Sequence, residues 1–523
     1  VTTTPTLSPP SADPRPDPRR WWALGAIVAC MLVLGFDGTI LNVALPTMAT
    51  ELDADAGTLQ WIADSYLVVF AALMLPAGLL GDRFGRRRTL VAGLVVFLAG
   101  SLVGTFAEDA GTAIAARSVM GVGAAFIMPL AMSVLPALFT PEERSKAIGA
   151  VSGASALGLP LGPIIGGFLL DHFWWGSVFL VNVPLVGVAV VACRFLLPEM
   201  KDPAAPGVDG LATVLTVGGL GALVYGVTEG PDRGWTSPAV LGTLATAVVL
   251  LTLLTLRSRR QVRPMLDLTL LRHRGFLWNT IAASLAMFVF TGLLFVLPSY
   301  LQTVCGNDAF GTGLRMIPMP VGMLIASRLA PPLTRRVGAR VVIPAGLVLL
   351  GLGALLGSRT AVGDGYAFTA TWLVLAGAGV GIALIPAMDG ALGMLPRERV
   401  GVGSGLLMTL RQVAGAVGVA ILGSLLTAAY RARLETPRVP AAAAEAAEES
   451  VMGAHRVAAG LGDAALTRSA DAAYLHGMDL ALLASGGIAF AAALLIAAFL
   501  PGARVRTAIA PTAVAAETPN ARQ

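Results

Sequence analysis

The chain has 523 residues, 56% hydrophobic and only 13% charged, with a mean hydropathy of +0.77 and a net charge of +5. A soluble protein of this size needs a charged surface that this composition does not supply; the charges sit between long apolar runs, which excludes a soluble enzyme and points to a polytopic membrane protein. The basic balance is no nucleic-acid signal, because the arginines lie between the apolar runs, and three distant cysteines (Cys30, Cys193, Cys305) imply neither a disulfide framework nor a metal cluster.

The first 20 residues are polar and proline-rich, unlike a signal peptide, so the first apolar run serves as the targeting segment. Membrane strands would alternate apolar and polar residues. Here the runs are continuous, and they predict helices at about 21–45, 58–80, 89–107, 112–137, 147–170, 177–197, 211–228, 238–256, 276–301, 311–333, 341–358, 366–392, 403–429 and 477–500. An even count of fourteen puts both termini on one side. Of the 36 Lys and Arg, 25 fall in the N-terminal tail, alternate loops and the C-terminal tail, and seven fall on the other side, five of them in the long loop 430–476. The positive-inside rule then places both termini in the cytoplasm of a multi-pass plasma-membrane protein.

The loop after span two reads "DRFGRR" (82–87) and that after span ten "RRVGAR" (335–340), offset by 253; "PEER" (141–144) and "PRER" (396–399) are offset by 255. Two matches at nearly one offset predict two six-helix bundles of the same topology, with spans seven and eight inserted between them. The expected division is a tail 1–20, a first half 21–200, an insertion 201–275, a second half 276–500 containing the outer loop 430–476, and a tail 501–523.

In "GDRFGRRR" (81–88), Gly81 and Gly85 allow a tight turn. Asp82 can accept from a helix N-terminus or from an arginine of the neighbouring span. In "GLPLGPIIGG" (158–167), Gly158, Gly162 and Gly166 recur every four residues and leave one bare helix face for close packing, while Pro160 and Pro163 remove backbone donors. That bare face is expected at the interface between the halves. Charges within spans are costly and mark function. Asp37 in span one and Asp64 in span two lie at similar depth, about 24–25 Å from the basic ends of their helices at 1.5 Å per residue. Arg117 in span four lies near the same level. Moving Arg117 toward or away from an aspartate would switch its affinity for a proton. Asp389 and Arg411 are secondary candidates. The offset maps Asp37 near Thr291 and Arg117 near Trp372, so the second half lacks these charges and is expected to shape the substrate cavity.

"GDRFGRRR" resembles the loop motif of the major facilitator superfamily. "LGFDGTILNVALP" (34–46), "WIADSYLVVFAALMLPAGLLGDRFGRRR" (61–88), "RSVMGVGAAFIMP" (117–129), "FLVNVP" (179–184) and "GSGLLMTLRQVAGAVGVAILGSLL" (403–426) are similar to its fourteen-span drug:proton antiporter family, which includes actinobacterial antibiotic and multidrug resistance exporters. The resemblance implies an all-α major facilitator fold in the lipid bilayer. It implies conformational gating by Gly81, Asp82, Arg83, Gly85, Arg86 and Arg87. It also implies an antiporter motif at Gly158, Gly162, Pro163, Gly166 and Gly167, a motif that marks exporters. One departure is "WWGSVFLVNVP", where Gly176 stands in place of an arginine common in relatives.

The expected function is proton-driven efflux of a hydrophobic small molecule by a monomeric secondary transporter with no cofactor beyond the proton gradient and no nucleic-acid partner. An antibiotic is the expected substrate, an aromatic polyketide the specific suggestion. A proton symporter importing a metabolite is the alternative, and a membrane-embedded enzyme a remote one. A Walker A loop is absent, since the two lysines read "SKA" and "MKD", and the four histidines are scattered in loops.

Overall fold

The computed structural model describes residues 20–52, 54, 56–201, 209–261, 268–361, 363–395, 400–436 and 439–502. The helices in chain order are α1 (Arg20–Glu51), α2 (Ala56–Phe84), α3 (Arg86–Thr105), α4 (Ala110–Leu138), α5 (Pro141–His172), α6 (Ser177–Leu180), α7 (Asn182–Leu196), α8 (Gly210–Arg233), α9 (Pro238–Arg260), α10 (Arg274–Ser299), α11 (Ala309–Met316), α12 (Pro318–Val337), α13 (Ala339–Gly357), α14 (Tyr366–Leu392), α15 (Val400–Arg433), α16 (Ala441–Glu449), α17 (Val451–Leu461) and α18 (Ala464–Phe499). They supply fourteen segments long and apolar enough to cross a membrane, with α6 and α7 sharing one and α11 and α12 another. The end at which α1 begins is called the basic end below.

Local sequence sets the helix ends. Asp109 caps α4 by accepting from the Thr112 amide at 2.9 Å, Ser237 caps α9, and Pro141 and Pro238 start α5 and α9, where a missing amide costs nothing. Tight turns at Gly85 (φ +107°) and Gly338 (φ +85°), offset by 253, open α3 and α13, and both need a residue without a Cβ.

Nearly the same offset governs packing, 256 along α4 and α14 and 253 along the helices they meet. A Cβ on Gly123 of α4 would press on Phe97 and Gly93 of α3, and one on Gly379 of α14 would press on Leu350 and Gly346 of α13. Likewise Gly121 of α4 lies against Tyr66 of α2, and Gly377 of α14 against Met319 of α12. Small residues allow these close approaches where lipid offers no hydrophobic drive between helices. Two six-helix bundles therefore repeat not only basic loops but the contacts that hold their helices together. The second copy of the acidic–basic loop motif, 396–399, lies outside the described residues.

The inserted pair α8 and α9 stands over the seam where α2 meets α15. Trp61 stacks on Tyr225 with ring centroids 5.5 Å apart, and Trp235 Nε1 donates to Ser424 Oγ at 3.1 Å. At the basic end Asp209 caps α8 and also accepts from Gln261 Nε2 at 2.6 Å and from Arg257 at 2.8 Å, tying the two inserted helices together. On the opposite end the long loop contains α16 and α17, and α18 begins at Ala464, well before the expected span at 477. Tyr430 Oη donates to the Ala447 carbonyl at 2.8 Å, and His455 pairs with Asp471 at 2.7 Å.

Candidate functional site

Asp37 is 1% exposed in α1 and Arg117 3% exposed in α4. Arg117 Nη1 donates to Asp37 Oδ2 at 3.0 Å, and Asn182 Nδ2 of α7 donates to Asp37 Oδ1 at 3.0 Å. The Arg117 guanidinium lies 4.2 Å from the centre of the Tyr66 ring on α2. Four helices thus converge on one buried ion pair. Gly121, one turn beyond Arg117, lets α4 approach the α2 backbone at Tyr66 closely enough to bring the ring over the guanidinium. A buried pair is tolerated when hydrogen bonds satisfy its remaining groups, and removing one partner leaves a charge that costs about 3–5 kcal/mol. Arg117 Nε and Asn182 Oδ1 have no partner, so the cluster is incompletely satisfied.

Asn182 and Tyr66 were not among the sequence candidates. The signal for Asn182 was the "FLVNVP" segment, where a lone amide interrupts an apolar run; Tyr66 had no comparable signal.

By helical phase Asp64 and Tyr66 lie on different faces of α2. Asp64 is half-buried. It lies eighteen positions, five helical turns, from Asp82, so both belong to one stripe of α2. Leu75 and Met74 near that stripe meet Gly405 of α15, and Asp82 meets Val402. Tyr66 points about 200° away from it. Asp64 thus shares the stripe that, further along α2, meets α15.

At the basic end, buried Asp82 accepts from Arg86 Nε at 2.9 Å and from the backbone amide of Val402, in the first turn of α15, at 2.9 Å. Both kinds of partner expected for this carboxylate are present, and the second joins the two halves. Arg86 also donates to the Ser133 carbonyl at 3.1 Å, Arg87 lies 3.5 Å from Glu199, and the Arg83 guanidinium lies 5.7 Å from the Phe84 ring. Gly81 packs against Leu130. Asp389 of α14 makes a second bridge between the halves, with Arg144 and, at 2.6 Å, with Ser145 Oγ of α5.

The bare face of α5 is not at the interface between the halves. A Cβ at Gly158 would sit 2.6 Å from Gly35 Cα and 2.6 Å from Phe36 N; one at Gly162 would sit 2.7 Å from Ile40 N, and one at Gly166 3.0 Å from Ile40. All three neighbours are on α1, within the first half. Gly167 has nothing within 4 Å of its Cβ position, and Pro163 is half-buried. The face of α5 toward the second half carries Gly149 and Gly153, set against Ser327 and Leu324 of α12, and Pro160 and Ile164, set against Gly313 of α11. The reason is geometric: α1 and α5 run in the same direction inside one bundle at close approach, and the four-residue glycine period supplies that approach.

Arg411 of α15 is 5% exposed, and its Nη1 donates to Met388 Sδ of α14 at 3.2 Å.

The major facilitator superfamily model matches residues 27–419. The chain is 34% identical over 80% of its length to the puromycin resistance protein of Streptomyces alboniger, of which it covers 84%. It is 31% identical over 91% to the tetracenomycin C resistance and export protein of Streptomyces glaucescens, of which it covers 90%. It is 33% identical over 87% to the multidrug efflux pump LfrA of Mycolicibacterium smegmatis, of which it covers 90%. Among solved structures, the proton:xylose symporter XylE superposes with a TM-score of 0.63 at 13% identity, over 93% of this chain and 97% of that one. The human organic anion transporter MFSD10 does so with a TM-score of 0.61 at 14% identity, over 92% and 100%. Helix count, repeated packing and whole-chain similarity agree: this chain is a multi-pass membrane transporter of the major facilitator superfamily.

Proposed function

We propose that the protein exports a hydrophobic, antibiotic-like small molecule, driven by proton entry. Relatives named for resistance and export, at 31–34% identity over most of the chain, support efflux. The observation that supports proton coupling is the buried Asp37–Arg117 pair with Asn182. A proton taken up by Asp37 cancels the charge that holds Arg117 and frees the guanidinium to move relative to α1.

A mechanical route leads from that pair to the seam. Gly35 and Phe36, the residues just before Asp37, lie against Gly158, and Thr39 and Ile40 lie against Gly162. Helix α5 therefore rides on α1 through one face while its other face touches Gly313, Leu324 and Ser327 of the second half. A shift of α1 on protonation moves α5, and α5 moves against α11 and α12. Asp82 with Val402 and Asp389 with Arg144 hold the basic end closed in this conformer, and they must release for that end to open. On this reading the basic end is cytoplasmic, the twenty-residue N-terminal tail and the C-terminal tail lie inside the cell, and the transporter works as a monomer without nucleotide or cofactor.

The energetics suffice. One charge crossing 100 mV releases about 2.3 kcal/mol and one pH unit adds about 1.4 kcal/mol. One proton therefore sustains a gradient of several hundredfold for a neutral substrate, at about 1.4 kcal/mol per tenfold. The test is purified protein in liposomes with an imposed pH difference and no nucleotide. Substrate accumulation that follows the pH difference is expected; accumulation that appears only with ATP would overturn the mechanism.

A further inference from the structure

Three arginines are buried among the described residues. Arg86 holds Asp82 and Arg117 holds Asp37. Arg411 holds a thioether: its Nη1 reaches Met388 Sδ at 3.2 Å, and its Nε has no hydrogen-bond partner. A thioether sulfur is a weak acceptor. A buried guanidinium without a counter-charge is costly, and such a residue inside a membrane span marks a functional site.

The groups facing it are also unsatisfied. Helices α10 and α15 run in the same direction, and their register is set by Thr291 Oγ1, which donates to the Gly415 carbonyl at 2.9 Å, and by Gly418 against the Phe288 backbone. These contacts, offset by 124 and 130, bracket Ser284 at the level of Arg411. A further turn along, where a helical side chain leans toward its N-terminus, stands Thr280. Ser284 and Thr280 share the stripe of α10 that carries Met287 and Thr291, and the hydroxyl oxygens of both are buried without a partner. Two turns below Arg411 on the same stripe of α15, Ser404 Oγ donates to the Pro129 carbonyl of α4 at 3.2 Å, so this face of α15 meets the first half.

We propose that Arg411, Ser284 and Thr280 form a substrate subsite for an acidic oxygen, a carboxylate, phenolate or enolate, on an apolar molecule. The inference rests on the efflux reading and names the substrate class for it. Three donors lie along the α10–α15 contact, and the acceptor that Arg411 meets there is the weak Met388 thioether. A water would satisfy the hydroxyls and leave the guanidinium charge uncompensated; an oxyanion satisfies all three. Lipid headgroups do not reach the site, because Arg411 lies eleven residues, about 16 Å, along α15 from its start at the basic end. An anion leaving the cell is also driven outward by the membrane voltage, so the subsite suits the direction of transport.

The test uses two dyes of one ring frame and opposite charge, anionic fluorescein and cationic rhodamine 6G. Binding to the purified full-length protein is read by fluorescence polarisation, and export by proteoliposomes. Replacing Arg411 by methionine removes the charge without leaving a buried polar group, which protects folding. The expected result is that Arg411→Met lowers the ratio of fluorescein to rhodamine affinity roughly ten- to hundredfold, the worth of a charge-assisted hydrogen bond. Arg411→Lys recovers part of the ratio, and Ser284→Ala with Thr280→Val shifts it in the direction of Arg411→Met by a smaller factor. An unchanged ratio in Arg411→Met, or wild-type protein that does not bind fluorescein, overturns the inference. Intact fluorescein binding to wild-type protein with no pH-driven export of either dye would instead overturn the efflux reading.

Discussion

In the first half the α2–α4 contact at Gly121 carries Arg117 one turn away; in the second, the matching α12–α14 contact at Gly377 carries Leu373 and Trp372 at that level. The aspartate that meets Arg117 also has a changed counterpart: near the position matching Asp37 stands Thr291, whose hydroxyl is satisfied by the carbonyls of Met287 and Gly415. Conversely, the second half buries Arg411 in α15, and the matching position in α5 is Leu157. One backbone plan therefore carries two electrostatic contents. The first half buries the Asp37–Arg117 pair; the second buries Arg411 against the Met388 thioether. Packing glycines are shared because both bundles need the same close approaches, while the buried charges differ between the halves.

The sharpest way to break this comparison is to remove the carboxylate. Asp37→Asn is expected to bring pH-driven efflux down to background, a loss of about a hundredfold or more, since the pair then holds no titratable acid. Insertion should persist, because asparagine keeps the size and one acceptor oxygen, but stability in detergent should fall by about 3 kcal/mol as Arg117 loses its counter-charge. Transport in proteoliposomes beside wild type is the measurement, and normal export by a well-folded variant would end the assignment of protons to the first half.

Next in size is a test of which surface the α5 glycines serve. Gly162→Leu would drive a side chain into Thr39, Ile40 and the Phe36 carbonyl of α1, so it should destabilise the first half by about 3 kcal/mol, at the upper end for overpacking. Gly167→Leu enters open space and should change stability by less than about 0.5 kcal/mol. Thermal unfolding in detergent reads both. Equal midpoints for the two variants would contradict the α1–α5 packing.

Smaller effects are expected at the bridges between the halves. Asp389→Asn removes the charge that pairs with Arg144 and should shift the balance toward a conformer open at the basic end by about 1–2 kcal/mol, a five- to thirtyfold change. Ser404, fully buried against Pro129, becomes the reporter when changed to cysteine: its labelling by a membrane-impermeant thiol reagent from the basic end should speed up in the Asp389→Asn background. An unchanged rate would show that the bridge does not set the conformer balance.

The smallest effect concerns the inserted helices, which have no counterpart in either half. The Gln261 hydrogen bond, with the Ala212 amide and Arg257, holds the Asp209 carboxyl at about 2, below its ordinary 3.8. Because the folded value is depressed, the stabilisation it gives is complete above about pH 4 and is lost as the pH falls toward 2. Asp209→Asn should therefore loosen the basic end of α8 and α9 at neutral pH, read as faster amide exchange near Leu211 and Ala212, and should remove the acid-dependent part of that exchange.

Much of the architecture was legible in the residues. Span count, helix type and the alternation of basic loops follow from run length and charge placement, which the bilayer imposes locally on each segment. The pairing of Asp37 with Arg117 was legible in part, because depth along a helix can be counted from its end. Rotation about the helix axis was harder to use. Asp64 has the same depth as Asp37, yet by helical phase it shares an angular position with Asp82 and not with Tyr66, and only the placement of α15 gives that angle a meaning.

What the sequence by itself determined is the set of faces each helix offers: the four-residue glycine period of α5, the stripe of α2 through Asp64 and Asp82, the lone Asn182 in an apolar run, the unmatched Arg411. What only the tertiary structure decided is which neighbour each face meets. It set the glycine face of α5 on α1 and not on the second half, brought Asn182 and Tyr66 from separate helices onto one ion pair, and left Arg411 donating to a thioether. Periodicity is local and repeats within a helix, whereas lateral pairing among fourteen membrane helices depends on contacts between residues 80 to 320 positions apart, such as Asp37 with Arg117 and Asp82 with Val402, which no local pattern encodes.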